Sequence, residues 1–249
     1  MQKIELWNRE FSYYNTGFMT GEENMAWDMA KAKALQDGSA EETFRVYAWK
    51  PWCVSLGYNQ KSDGISAEKC KTSGIDIVTR PTGGRAVLHA NELTYSIIMK
   101  LSPELDRHKI YKDIHLFFIK VFAELGADLD FVRSTPNFNK FYKESELAFA
   151  CFASSAKYEV TLADKKIVGS AQRVFGDVLL QHGSIILGAG HELLPDLLPF
   201  EDSDKIQRAK DYLTNETATL SQACSREISY SECAKSIANG LVSIGIKID

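Results

Sequence analysis

Three stretches of this chain set glycines, cations and a thiol among segments that read as strands. The first is Arg80-Pro-Thr-Gly-Gly-Arg-Ala-Val-Leu-His89. Adjacent Gly83 and Gly84 permit left-handed backbone angles and let main-chain N–H groups approach a ligand closely. With Arg80 and Arg85 beside them, such a loop suits an acyl carbonyl, a carboxylate or a phosphate. The plain alternative is a glycine hairpin between two solvated arginines. The second stretch is Lys165-Lys-Ile-Val-Gly-Ser-Ala-Gln172, followed by Gln181-His-Gly-Ser184. If Lys165 faces solvent, strand alternation turns Lys166 inward, beside the small residues Gly169, Ser170 and Ala171. There it could donate to an oxyanion or, with a depressed pKa, accept a proton. An ordinary basic turn is the commoner meaning of a Lys-Lys pair. The third is Cys151, between Phe149 and Phe152. A thiol attacks as its thiolate, which nearby cations favour, and Lys166 and His182 are the candidates. The alternative is a buried structural cysteine.

The histidines carry less. His182 precedes Gly183, where the backbone is permissive, and His89 closes the first stretch. In both positions a satisfied core or surface group is the commoner outcome. His108, His115 and His191 read as background, and Cys53, Cys70, Cys224 and Cys233 as structural or incidental. The chain lacks both the Walker A pattern and GxGxxG, so nothing points to a nucleotide. These groups together describe a site where backbone and a lysine meet a small acyl group while a thiol attacks it.

The elements that must position them follow from pattern. The 249 residues are 45 % hydrophobic and 25 % charged with net charge −4, as expected of a globular protein and not of a general nucleic-acid binder. The N-terminal MQKIELWNRE lacks the apolar region of a signal peptide, and no apolar run reaches membrane-spanning length. Five cysteines without CxxC spacing argue against a disulfide framework or a metal site, and a cytoplasmic location is expected. Ile4–Trp7 reads as a short strand, and Thr20 opens a helix with Met25, Met29, Ala32 and Leu35 on its apolar stripe. Strands are expected at 44–49, 53–58, 75–79, 86–88, 93–99 and 158–162, from Ile167, and as a pair at 178–180 and 184–187. A helix is expected over 109–125, with further helices near 204–213 and 229–243, the last capped by Ser229 or Ser231. Residues 133–150 read as a loop leading to Cys151. Strands in the middle with helices at the flanks predict an α+β fold, a mixed and mostly antiparallel sheet in one domain over 1–249, with 190–249 as a helical cap.

Taken in order, Leu56-Gly-Tyr-Asn-Gln60, the Arg80–His89 stretch, Glu92-Leu-Thr-Tyr-Ser96, the Lys165–Gln172 stretch and Gln181-His-Gly-Ser-Ile185 resemble the biotin/lipoate protein ligase and octanoyltransferase superfamily. The resemblance spans about residues 5–245, judged by motif order and domain length. Within it the likeness is greatest to the LipM-type octanoyltransferases. The first loop has two glycines before Arg85 where ligases carry a third, His89 is followed by Ala90-Asn91 instead of Asp, and Cys151 sits in a Cys-Phe-x-Ser setting with Ser154. The chain also ends without a C-terminal accessory domain, and Val178-Leu-Leu-Gln181 lacks the thiol that the LipB type places before its His-Gly pair. The resemblance implies octanoyl transfer from octanoyl-acyl carrier protein, through a Cys151 thioester, to the lipoyl-domain lysine of glycine-cleavage H protein or another lipoyl domain. Lys166 would polarise the carbonyl or move protons, with Gly83, Gly84 and Gly169–Ala171 shaping the pocket and Arg80 and Arg85 lining its rim or bracing the loop. No cofactor, nucleic acid or membrane is implied. Small acidic partners predict a basic patch, drawn from Lys140, Lys143, Lys165 and Arg173. The alternatives are an ATP-dependent lipoate ligase or its catalytic subunit, in which Cys151 is dispensable, and a non-catalytic acyl-binding subunit.

Overall fold

Local signals set the helix ends. In the computed structural model, which describes residues 5–131, 158–199 and 201–248, helix α1 (Gly21–Gln36) starts at Thr20. The Thr20 hydroxyl accepts from the Glu23 amide while the Glu23 carboxylate accepts from the Thr20 amide, a reciprocal cap that satisfies two otherwise orphaned donors. Ser66 caps α2 (Ala67–Thr72), and the Asp106 carboxylate caps α3 (Arg107–Ala123) by accepting the His108 and Lys109 amides at 2.8 and 2.9 Å. Three helices follow late in the chain: α4 (Ser203–Glu216), α5 (Leu220–Ala223) and α6 (Tyr230–Ser243), the last capped by Ser229.

The main sheet holds, in spatial order, β1 (Ser12–Met19), β2 (Thr43–Trp49), β6 (Glu92–Lys100), β11 (Val178–Ile186) and β10 (Val168–Phe175). Within this sheet β1 and β2 pair in parallel, with α1 as the crossover between them, and the other pairs are antiparallel. A smaller sheet orders β4 (Asp76–Thr79), β3 (Cys53–Leu56) and β5 (Val87–His89), and a third orders β7 (Asp130–Phe131), β8 (Val160–Leu162) and β9 (Lys165–Lys166). The fold is α+β, mixed and mostly antiparallel, with helices on its flanks. No helix among the described residues is long and apolar enough to cross a membrane.

Register divides the main sheet into two unlike faces. Residues opposite one another across strands share a face. One row runs Val46–Tyr95–Gly183–Ser170 and the next Phe44–Ile97–Gln181–Gln172. Its apolar members pack with Phe117, Phe118 and Phe122 of α3 and with Cys233, Ile237 and Leu241 of α6. The alternate rows, Arg45–Ser96–His182–Ala171 and Tyr47–Thr94–Ser184–Gly169, point the other way. That second face is polar yet buried.

Several expectations change. The expected strand at Ile4–Trp7 is, in its described part, a 3₁₀ helix over Glu5–Asn8 with Leu6 and Trp7 buried. The expected pair at 178–180 and 184–187 is one continuous strand, because Gln181, His182 and Gly183 continue the ladder and do not break it. Strand β1 was absent from the sequence reading. It is a half-exposed edge with an irregularity between Asn15 and Gly17, so it shows little alternation. On α1, Met29 is exposed, and Asn24 and Asp28 share the buried face with Met25, Ala32 and Leu35. Helix α6 packs in the main core.

Candidate active site

A cavity of about 250 Å³ opens between the polar face of the main sheet, the β3–β5 sheet and the β8–β9 hairpin. Apolar surface from Met25, Tyr47, Trp49 and Val87 lines part of it, alongside glycines and a few polar groups. Small-molecule sites have this composition, although this one lies below their usual size of roughly 300–1,000 Å³.

The hairpin wall carries Lys166. Leu162 pairs with Lys165 and Thr161 with Lys166, which leaves a two-residue turn at Ala163-Asp164, both with positive φ (46° and 65°). Two such residues are the signature of a type I′ turn, whose twist matches its strands. The register puts Lys166 across from Thr161, with Glu159 two residues along on the same face. Lys166 Nζ meets Glu159 Oε1 at 2.7 Å, with both side chains buried. Both residues line the cavity. A buried charge is tolerated when it is paired in this way.

The opposite wall is the loop between β4 and β5, and Arg80 shapes it. Its guanidinium donates to the carbonyls of Ser55 (2.8 Å), Gly83 (2.9 Å) and Arg85 (2.7 Å) and to the Ser55 hydroxyl (3.1 Å). Arg80 therefore braces the loop, the second of the two roles set out for it. Arg85 contributes its carbonyl and is not among the residues lining the cavity. Gly84 takes φ 102°, and its carbonyl lies so close to Gly57 that any Cβ there would overlap it at 2.0 Å.

Beneath the cavity lies a buried polar network. His182 Nε2 is 2.6 Å from Thr82 Oγ1, and its Nδ1 lies 3.8 Å from Asp28. Asp28 pairs with Arg45 at 2.9 Å, and both are fully buried. Ser96 also donates to Asp28, while Arg45 donates further to Asn24, Thr16 and the Met19 sulfur. Burial pushes the His182 pKa down, against the pull of Asp28. His89 bonds Ser55 through Nε2 and Glu92 through Nδ1, both at 2.8 Å, and stacks on Trp49 with ring centres 4.0 Å apart.

Of the residues singled out from sequence, Lys166, Arg80, Gly83, Gly84, His89, Gly169, Ser170, Ala171, His182 and Gly183 line this one cavity. Ser170 does so with its hydroxyl turned to the other face, toward His115 and Tyr95. Cys151 lies outside the described residues, as do Lys140, Lys143 and the 133–150 segment. Of the suggested basic patch, Arg173 stacks on Tyr58 and donates to the Pro81 carbonyl, and Lys165 is half-buried. The sequence reading missed Glu159, Asp28, Thr82 and His115. Glu159 and Thr161 alternate with Val160 and Leu162, a pattern that reads as a solvated strand face, but both are buried. The signal for Asp28 was present: an acid three residues after Met25 and four before Ala32, inside the buried stripe.

Residues 20–242 match the family described as the lipoyl protein ligase A/B catalytic domain. The chain is 40 % identical over 226 residues to octanoyltransferase LipM of Clostridioides difficile, covering 89 % of this chain and 82 % of that protein. Against octanoyltransferase LipM of Brevibacillus brevis the identity is 35 % over 244 residues, covering 96 % and 88 %. Among solved structures, the bipartite lipoate protein ligase of Thermoplasma acidophilum superposes with a TM-score of 0.73 at 18 % identity, over 97 % of this chain and 87 % of that one. A lipoate-protein ligase A bound with ATP gives 0.72 at 18 %, over 96 % and 88 %. At that identity the structural likeness is one of fold.

Proposed function

The chain belongs to the lipoyl protein ligase A/B catalytic-domain family, and from that premise we propose that it is an octanoyltransferase of lipoate biosynthesis, acting as one domain over residues 1–249 by covalent catalysis. The donor in this reading is octanoyl-acyl carrier protein and the acceptor is the lipoyl-domain lysine of glycine-cleavage H protein or a similar domain. The observation that carries it is the buried Lys166–Glu159 pair on the wall of a partly apolar cavity edged with glycines. Relatives named octanoyltransferase LipM support transfer over ligation.

Cys151 supplies the nucleophile. Its thiol gives its proton to solvent, the thiolate attacks the donor thioester, a new C–S bond forms, and the old bond breaks as the carrier sulfur leaves as a thiolate that takes a proton from solvent. The acceptor amine then attacks the enzyme thioester, the amide forms, and Cys151 leaves as thiolate while the amine's proton passes to solvent or back to sulfur. Two thiol-mediated steps let two protein partners use one site in turn. Lys166 donates to the carbonyl oxygen as it gains charge in each step, and Glu159 holds the ammonium in place. The other cysteines suit this chemistry less. Cys53, Cys70 and Cys233 are buried, Cys224 is half-buried, and burial raises the pKa of every one of these thiols. None of the four lines the cavity.

Intact mass spectrometry after mixing with octanoyl-acyl carrier protein, without ATP, tests the reading. An octanoyl adduct on the wild type, labile to hydroxylamine and absent from Cys151→Ala, is expected. Labelling of H protein only from free acid and ATP, with Cys151→Ala fully active, would point to a ligase.

A further inference from the structure

We propose that His115, on α3, is a positioning residue that holds the Lys166–Glu159 pair in register with the cavity wall, acting through the carbonyl of Tyr158, while the hydroxyl of Ser170 fixes which ring nitrogen carries the proton. The inference deepens the acyl-transfer reading and rests on it for its kinetic consequence alone.

His115 is fully buried, on the face of the main sheet away from the cavity. Its Nδ1 lies 2.6 Å from the Tyr158 carbonyl and its Nε2 lies 2.8 Å from Ser170 Oγ. A carbonyl only accepts, so Nδ1 carries the proton, and in the neutral ring Nε2 accepts from the Ser170 hydroxyl. The same logic orders a longer chain. Ser170 accepts from Tyr95 at 2.7 Å, Tyr95 from Gln181 at 2.6 Å, and Gln181 from Gln172 at 2.7 Å. Every donor in this series points the same way and it ends on Tyr158. Tyr158 holds φ 75°, a left-handed conformation that an aromatic residue keeps only when its surroundings fix it. The next residue is Glu159, the partner of Lys166. One imidazole thus ties the left-handed residue that delivers Glu159 to strand β10 of the main sheet.

Asparagine and glutamine at position 115 separate the two bonds, because an asparagine amide reaches the place of Nδ1 and a glutamine amide that of Nε2. The first readout needs no activity. A brief pulse of acetic anhydride followed by peptide mass spectrometry gives the acetylation of Lys166 relative to its half-buried neighbour Lys165. His115→Asn should keep the wild-type ratio, and His115→Gln should raise it severalfold. In single-turnover octanoyl transfer, His115→Gln should slow the step by about 100-fold, the scale of a mispositioned reacting group, with little change in donor KM, while His115→Asn stays near wild type. An unchanged ratio and rate in His115→Gln overturns the proposal, as does an asparagine variant as impaired as the glutamine one. If His115→Gln fails to fold, His115→Met fills the same space without a donor to the Tyr158 carbonyl, and an unchanged Lys166 ratio there overturns it equally. If the wild type transfers nothing from the carrier protein, the acyl-transfer reading fails, while the labelling ratio still decides the role of His115.

Discussion

The two long walls of the cavity are held by opposite means. The β4–β5 loop is irregular backbone, shaped by one buried guanidinium that collects three carbonyls. The β8–β9 hairpin is regular backbone, and its two-residue turn fixes which side chain faces in. In the loop, charge serves the main chain. In the hairpin, the main chain presents charge to the cavity. Positive residues near a site therefore have separate duties, and Arg80 and Lys166 should fail differently when replaced.

The sharpest break between them is Lys166→Ala. It removes the donor to the acyl oxygen, so transfer should fall by about 100- to 1,000-fold. It also strips the buried Glu159 carboxylate of its lysine, at a cost of roughly 3–5 kcal/mol. The pair Lys166→Met with Glu159→Leu should recover most of that stability in denaturant unfolding and none of the activity. Recovered activity would end the catalytic role of Lys166. Arg80→Lys is the milder counterpart. A lysine cannot reach three carbonyls from one fork, and the loss should be about 2–3 kcal/mol, with faster amide exchange confined to the 80–86 loop. A rate loss as large as that of Lys166→Ala, without loop exchange, would erase the contrast between the walls.

The smallest effect per step is one of pH, and it separates the hairpin side from the loop side. Burial first, and then the Lys166 charge, push the His115 pKa down to about 4, against its bond to Tyr158. The unfolded chain, near the ordinary 6.5, binds that proton more readily. His115 therefore favours the folded state fully above about pH 6.5, and its contribution is lost as pH falls toward 4, by up to about 1.4 kcal/mol per pH unit. His182 and His191 are also lowered by burial and add slopes of the same sign. Stability of the wild type should thus drop from pH 6.5 to 4, and His115→Asn should flatten the curve. An identical slope in that variant would show that His115 is not the group responsible.

What could be read from sequence followed the same division. Motifs in which one residue type has one use were legible: the paired glycines, the inward Lys166 after an outward Lys165, and the caps at Thr20 and Ser229. The helices and most strands followed from period. What escaped was polarity placed inside. Asp28 and His115 are buried with partners far along the chain, and Glu159 with Lys166 across the hairpin, and a local pattern of polar and apolar residues takes such groups for a solvated face. Strand β1 escaped for the converse reason, since an edge that is half wet has no alternation to find. Ser170 was assigned to the right wall, but which way its hydroxyl turns is settled by the pairing of β10 with β11 and not by its own segment.

Gly183 carries a last consequence. A Cβ built there would lie 2.4 Å from Ser170 Oγ, 2.7 Å from the Gly169 carbonyl and 2.8 Å from the Tyr95 ring. No single replacement at this position fits unless strands on both sides of it give way together. In mutational terms the position is a closed door. A lineage that changes Gly183 must already have altered its neighbours on β6 and β10, so these positions are bound to drift jointly or not at all.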